Sequence, residues 1–206
     1  GAAAVMRAFY PTWSASAIRS ALIMTALGGV SRDYDGSVPS AFIQGNGRLD
    51  MSKALLTGLV MEETASNYLA ANPATGGDPR TLNIPSYQNS SCLGSCSFTR
   101  TLRNVSGVTA VYTISVETQD TVQVTTTPSG GFTIPPGGTQ QLTVKVTPDV
   151  AQAGNWQTAR VVLATTSRFP SNRLIADNAF SLAVKTQDSG SNLPTLIRRQ
   201  LASGNN

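Results

Sequence analysis

From Thr81 onward the residues alternate with the period of a strand. Ala110, Tyr112, Ile114 and Val116 interleave with Val111, Thr113, Ser115 and Glu117; Leu142, Val144 and Val146 interleave with Thr143, Lys145 and Thr147; Phe180, Leu182 and Val184 repeat the pattern. Successive side chains of a strand point to opposite faces, so such segments must bury one face and wet the other. That requirement suits half-buried antiparallel strands. Further strands are expected at Cys96 to Arg103, Val122 to Thr125, Phe132 to Ile134 and Thr158 to Thr165. Pro128-Ser129-Gly130-Gly131 and Pro135-Pro136-Gly137-Gly138 supply turns.

About seven short strands in roughly 105 residues predict an immunoglobulin/fibronectin III-like β-sandwich. Before it the chain is alanine-rich and helical. One helix is expected over Ala2 to Phe9, broken at Tyr10-Pro11, and another from Ala15 to Ala26 behind Ser14 as N-cap. Ile18, Ala21, Leu22 and Thr25 or Ala26 share one face of the second helix. Gly28-Gly29 ends it, a loop follows to Gly45-Asn46-Gly47, and short helices are expected at Met51 to Leu56 and Glu62 to Ala70. A linker containing Asn72-Pro73, Gly76-Gly77 and Asp78-Pro79 leads into the sandwich. Asp188 to Pro194 reads as another linker, and Thr195 to Asn206 as the start of a further element.

The 206 residues suffice for one large domain, or a medium one with an appendage. They include no histidine, which removes Ser-His-Asp triads, Cys-His dyads and His-based zinc sites from what this chain can build alone. The net charge of +4 comes from scattered residues of both signs, so no nucleic-acid footprint is expected. Cys92 and Cys96 are the two cysteines. Their spacing suits a small disulfide loop, with reduced thiols as the alternative, and two sulfurs cannot fill a four-ligand zinc site. A disulfide points to an oxidising compartment. No segment has the roughly 18 uninterrupted apolar residues of a membrane span, so no membrane partner is expected. Gly1 to Phe9 reads as the middle of a helix, and any secretion signal is expected upstream.

Other candidates read as structure. Asp33-Tyr34-Asp35-Gly36 lacks the later ligands of a calcium loop and is expected to be a solvated turn, leaving no metal and no cofactor. Asn89-x-Ser91 and Asn104-x-Ser106 fit the glycosylation pattern and are expected as surface asparagines. Ser52-Lys53 are adjacent on a helix and point apart, which argues against a nucleophile and its base. Arg198-Arg199 has no aromatic neighbours for a nucleic-acid contact, and Trp13 and Trp156 are expected to anchor packing.

Gly1-Ala2-Ala3-Ala4-Val5-Met6, Tyr10-Pro11-Thr12-Trp13-Ser14, Ile18-Arg19-Ser20-Ala21-Leu22 and Met24-Thr25-Ala26 together resemble the stretch that directly follows the nucleophile motif in subtilisin-like serine proteases. Gln44-Gly45-Asn46-Gly47-Arg48-Leu49-Asp50 with Ala54-Leu55 resembles that family's glycine-rich turn and closing helix. Leu82-Asn83-Ile84-Pro85-Ser86 and Phe98 to Val105 resemble the opening of the fibronectin type III-like domain that follows the catalytic domain in larger subtilases. The resemblance implies that 1–60 is the C-terminal part of an α/β subtilisin-like protease domain, 61–80 a linker, 81–186 a fibronectin type III-like β-sandwich and 187–206 a linker or truncated element. It implies the C-terminal portion of a secreted serine endopeptidase, whose partners are the remainder of the protease domain and, through it, a protein or peptide substrate. The family's catalytic Asp, His, oxyanion Asn and Ser match no position, so no catalytic residue is carried over and the chain alone is expected to be inactive. The rival expectation is an independent sandwich acting as a binding or spacer module. The truncation also implies that Val5, Phe9, Ile18 and Leu22 lie exposed.

Overall fold

Capping side chains set where the helices begin. The computed structural model describes residues 1–29, 34–37, 39, 41–118 and 121–186. It contains α1 (Ala2–Phe9), α2 (Ala15–Met24), α3 (Ala41–Gln44), α4 (Met51–Ala54) and α5 (Ala65–Ala70). Ser14 Oγ accepts from Ala17 N at 3.1 Å, meeting an amide that the first turn of α2 leaves without a helical partner. Asp50 does the same for α4 and Thr64 for α5. Of the helix expected over Glu62 to Ala70, α5 covers Ala65–Ala70, and it is followed by two short 3-10 turns at Pro73–Thr75 and Pro79–Thr81.

The strands are β1 (Leu59–Val60), β2 (Ser86–Asn89), β3 (Cys96–Asn104), β4 (Ala110–Thr118), β5 (Gln123–Thr127), β6 (Gly131–Ile134), β7 (Thr139–Thr147), β8 (Trp156–Thr165) and β9 (Asn178–Lys185). They form two packed sheets, ordered β1-β3-β7-β5 and β2-β9-β8-β4-β6. The protein is mainly β, and the sandwich read from the alternation is present. The inward set of β4 begins with buried Ala110 and Tyr112, β7 buries Leu142, Val144 and Val146, and β9 buries Phe180, Leu182 and Val184. Each such side chain stabilises the fold by about 1.5–3 kcal/mol relative to exposure.

Two strands differ from the sequence expectation. β1 has two residues and β2 reads Ser-Tyr-Gln-Asn, so neither carries a usable alternation of apolar residues. β2 is also parallel to its neighbour β9, whereas antiparallel pairing was expected for the alternating strands, that of Phe180 to Val184 among them. The two meet across a long connection rather than a hairpin, and such a connection permits the parallel direction.

β1 joins the helical part to the sandwich. The pleat sends Leu59 and Met61 into the sandwich core and Val60 into a second cluster with Met6, Ala17, Ile18, Ala21 and Ala54. Ile18 is therefore covered, which corrects the expectation that it is exposed; the pleat of β1 carries Val60 into its cluster. Leu22 is half-buried, while Val5 and Phe9 are 42% and 65% exposed. Trp13 anchors this cluster by stacking on Tyr10 at 4.1 Å. On the outer face of β9 the small residues Ala179, Ser181 and Ala183 let α2 and α3 lie close, so Ala179 and Ala183 are buried as well.

One core-facing position holds a charge. Arg100, on the inward face of β3, is 2% exposed and donates to Ile84 O at 2.8 Å, Ser86 O at 2.9 Å, Thr99 O at 3.0 Å and Arg80 O at 3.2 Å. Its guanidinium carbon lies 5.0 Å from the Phe98 ring, which stacks on Tyr87 at 3.8 Å. Burial pulls its pKa down to about 10, opposed by the nearby Tyr87 and Glu63.

Candidate functional site

Most residues singled out in the sequence take structural places. Cys92 and Cys96 are joined by a disulfide with Cα atoms 5.5 Å apart, and Cys92 N donates to Lys185 O at 3.0 Å, tying the loop to the end of β9. Both glycosylation-pattern asparagines are buried, against the expectation of surface positions. Asn104 Nδ2 donates to Val108 O, Ile134 O and Pro135 O at 2.7, 2.9 and 3.2 Å, and Asn89 Oδ1 accepts from Ser91 N at 2.9 Å. Their short side chains satisfy backbone groups that no strand partner reaches. Ser52 Oγ donates to Asp50 Oδ1 at 2.6 Å as part of the α4 cap. Asp35 Oδ1 accepts from Ser37 N at 2.9 Å in a local turn, while Asp33 lies outside the described residues. Arg198, Arg199 and the whole 187–206 segment lie outside them too. Among the described residues no group of three or more His, Cys, Asp or Glu side chains could hold a metal. No helix among them is long and apolar enough to cross a membrane.

An apolar surface lies on α1 and α2. A groove of about 540 Å³ runs between them, floored by Ala3, Ala4, Ala15, Ile18, Leu22 and Ile23 and flanked by Arg7 and Arg19. Both arginines are already engaged, Arg7 with the carbonyls of Pro11 and Trp13 and Arg19 with the Tyr68 hydroxyl. What the groove presents is therefore apolar. In α1 every residue except Arg7 is apolar, yet only Met6 is buried.

A polar seam holds these helices to the sandwich. Glu62 accepts from Ser14 Oγ at 3.0 Å and from Arg103 Nε at 2.5 Å, joining the α2 cap to β3. Asn83 donates to Glu62 O and Thr101 O and accepts from Thr101 N, and Ser20 Oγ accepts from Met61 N at 2.9 Å. The bond from Arg103 is the main reason that the Glu62 carboxyl titrates below its ordinary range; partial burial opposes it and the Ser14 bond adds to it. A carboxylate whose folded-state pKa is lowered contributes stability that is complete above its unfolded pKa and lost as pH falls through the folded value. Acidification below about pH 4 should thus destabilise the wild type more than Glu62→Gln. Because the pair is about a third exposed, the difference should stay below about 1 kcal/mol. Thermal unfolding of both proteins at neutral pH and at pH 3 reads it, and equal acid losses in the two would refute the role.

Behind the helices a second groove, of about 360 Å³, lies between the 44–46 turn, Gly28 and the outer face of β4, β8 and β9. Arg160 of β8 forms its wall, paired with Glu117 at 3.2 Å and donating to Ala26 O at 3.2 Å. Asn46 forms its rim. Neither Asn46 nor Arg160 stood out in the sequence. Asn46 carried a turn signal from its flanking glycines and a place in the stretch resembling the subtilase glycine-rich turn, with no role of its own, and Arg160 sits among the outward residues of a strand, where a charge is ordinary.

Comparison with known proteins agrees with this architecture. A family model described as a fibronectin type-III domain matches residues 81–169. Subtilisin-like protease SBT4.3 of Arabidopsis thaliana is 37% identical over 92 residues, which is 45% of this chain and 12% of the relative. SBT5.5 and SBT1.4 of the same plant are 31% and 33% identical over 151 and 162 residues, each covering 63% of this chain and 19% and 21% of the relative. The chain thus spans about a fifth or less of the length of the curated relatives it matches. Among solved structures, WR4, a C. elegans MSP family member, shares 9% identity over 50% of this chain and 92% of its own, at a TM-score of 0.34, too loose a likeness to bear on function. Residues 81–169 thus match the fibronectin type-III domains, and the chain is similar to the subtilisin-like proteases over the stretches given.

Proposed function

We propose that this chain is the C-terminal portion of a secreted subtilisin-like serine endopeptidase. On this reading residues 1–60 complete the protease domain, 61–80 connect it, and the sandwich over 81–186 supports it. Peptide hydrolysis by acyl transfer is the reaction of the whole protein, and a protein or peptide is its substrate. The chain has no histidine, so the base of the triad must come from elsewhere in the protein.

The observation that carries the reading is α1. A helix that is apolar all round is stable when it is covered all round, and α1 has one buried residue. Together with the α1–α2 groove it forms a face suited to the remainder of a protease domain, and on the resemblance the nucleophile would lie shortly upstream of Gly1. Reading the transcript upstream of the Gly1 codon, and then assaying the extended chain, tests this. A Gly-Thr-Ser-Met-Ala motif just before Gly1, labelling by a fluorophosphonate and cleavage of a peptide substrate are expected. Unrelated upstream sequence, or an extended chain that folds without labelling, would overturn the reading.

A further inference from the structure

The last carbonyls of a helix have no partners within it; Asn46 meets one of them at the end of α2, and Arg160 meets the carbonyl of Ala26 two residues further on. Asn46 Nδ2 lies 3.3 Å from Ile23 O, 3.3 Å from Pro85 O and 3.4 Å from Ala179 O, while its Oδ1 accepts from Ser181 N at 2.7 Å. One amide thereby ties the end of α2, the entry to β2 and the outer face of β9. Arg160 Nη2 donates to Ala26 O at 3.2 Å, its Nη1 is paired with Glu117, and its guanidinium lies flat against Gly28. A Cβ at Gly28 would stand 3.0 Å from the guanidinium carbon.

The backbone is built to deliver Asn46 to this place. Gly45 and Gly47 have φ of 56° and 116°, a region that favours glycine. A Cβ on Gly47 would stand 2.1 Å from Leu27 O, so the paired bonds between Leu27 and Arg48, at 2.8 and 3.0 Å, depend on that glycine. The α2 end is consequently fastened to the sheet, and α1 packs on α2 in the cluster around Met6, Ile18 and Ala21.

We infer that Asn46 and Arg160 are positioning residues through which the sandwich holds α2, and through α1 the segment preceding Gly1, in the arrangement that catalysis requires. This rests on the proposed function, which puts the nucleophile in that segment. The role differs from a spacer because Arg160 of the sandwich bonds the segment just past α2, and Asn46 fastens the α2 end to β9.

The test uses the full-length enzyme with a peptide substrate. In Asn46→Ala and Arg160→Ala, kcat should fall about tenfold or more while KM stays within about twofold, since displacement of a catalytic group by about 1 Å suffices for such losses. Arg160→Lys, which keeps a donor for Ala26 O, should recover part of kcat. If Asn46→Ala does not fold, Arg160→Ala carries the test, and Gly28→Ala, whose Cβ would push the guanidinium by a few tenths of an ångström, should show a smaller kcat loss in the same direction. Folded variants with kcat within about twofold of wild type would overturn the role. Hydrogen exchange on the 206-residue chain tests the clamp without any activity. Amides of Thr25, Ala26 and Leu27 should exchange faster in Asn46→Ala while those of β7 and β8 do not change, and unchanged exchange at all of them would refute the clamp. An inactive wild-type enzyme overturns the functional reading, and the catalytic role with it, and is recognisable because the loss precedes any substitution.

Discussion

Arg100→Met should lower the unfolding free energy by about 3 kcal/mol, visible as a fall in the urea midpoint. Two opposing effects set the size. Removing the charge relieves a desolvation cost, whose presence is clear from a pKa pulled down to about 10. Against this, the carbonyls of Arg80, Ile84, Thr99 and Ser86 lose their shared donor. A buried polar group left without a partner costs about 1–3 kcal/mol, so the loss outweighs the relief even though Ile84 O keeps its bond from Ser86 N at 2.8 Å and even if water reaches some of the others. Methionine fills much of the vacated volume, which separates the hydrogen-bond loss from a cavity effect. Arg100→Lys should fall between, because an ammonium keeps the charge but cannot span four acceptors as a planar fork does. A methionine variant as stable as wild type would show that β2 and the 80–86 segment hold together without Arg100.

The second large effect is expected at Asn104. Its side chain makes three donor bonds to carbonyls, and its Oδ1 accepts from Ser106 N and Ser106 Oγ at 2.9 and 2.7 Å. Asn104→Ala removes all five and should cost about 3 kcal/mol, read as a lowered unfolding midpoint. Asn104→Asp keeps the acceptor but turns donors into acceptors facing three carbonyls, so it should be no milder. The same geometry bears on modification, since a glycan on Nδ2 would have to displace the bonds that close this corner. Protein secreted from a glycosylating host should therefore carry no sugar at Asn104, and mass spectrometry of the tryptic peptide decides it. Sugar on folded protein would refute this account of the corner.

Most strands were legible because a half-buried strand writes its orientation into the chain every second residue. Ala110 to Val116, Leu142 to Val146 and Phe180 to Val184 needed no knowledge of their neighbours. Ser14 marked the start of α2 for the same reason, since a cap acts within three residues of itself. β1 and β2 were illegible because they owe their place to partners, Leu59–Val60 to Asn104 and Arg103, and Ser86–Asn89 to β9.

The polar residues divide the same way. Asn89 and Asn104 matched a surface motif and are buried, because three residues of pattern carry no information about which carbonyls arrive from elsewhere. Arg100, Glu62, Asn46 and Arg160 looked like ordinary polar positions, yet each satisfies groups far along the chain, Asn46 reaching 133 residues to Ala179. Local periodicity and capping thus specified the elements from the amino-acid order, whereas the pairing of sheets, the burial of polar side chains and the grip on α2 emerged from folding. Hydrophobic alternation is a property of neighbours in sequence; a hydrogen bond between distant segments exists once the fold has brought its two ends within about 3 Å.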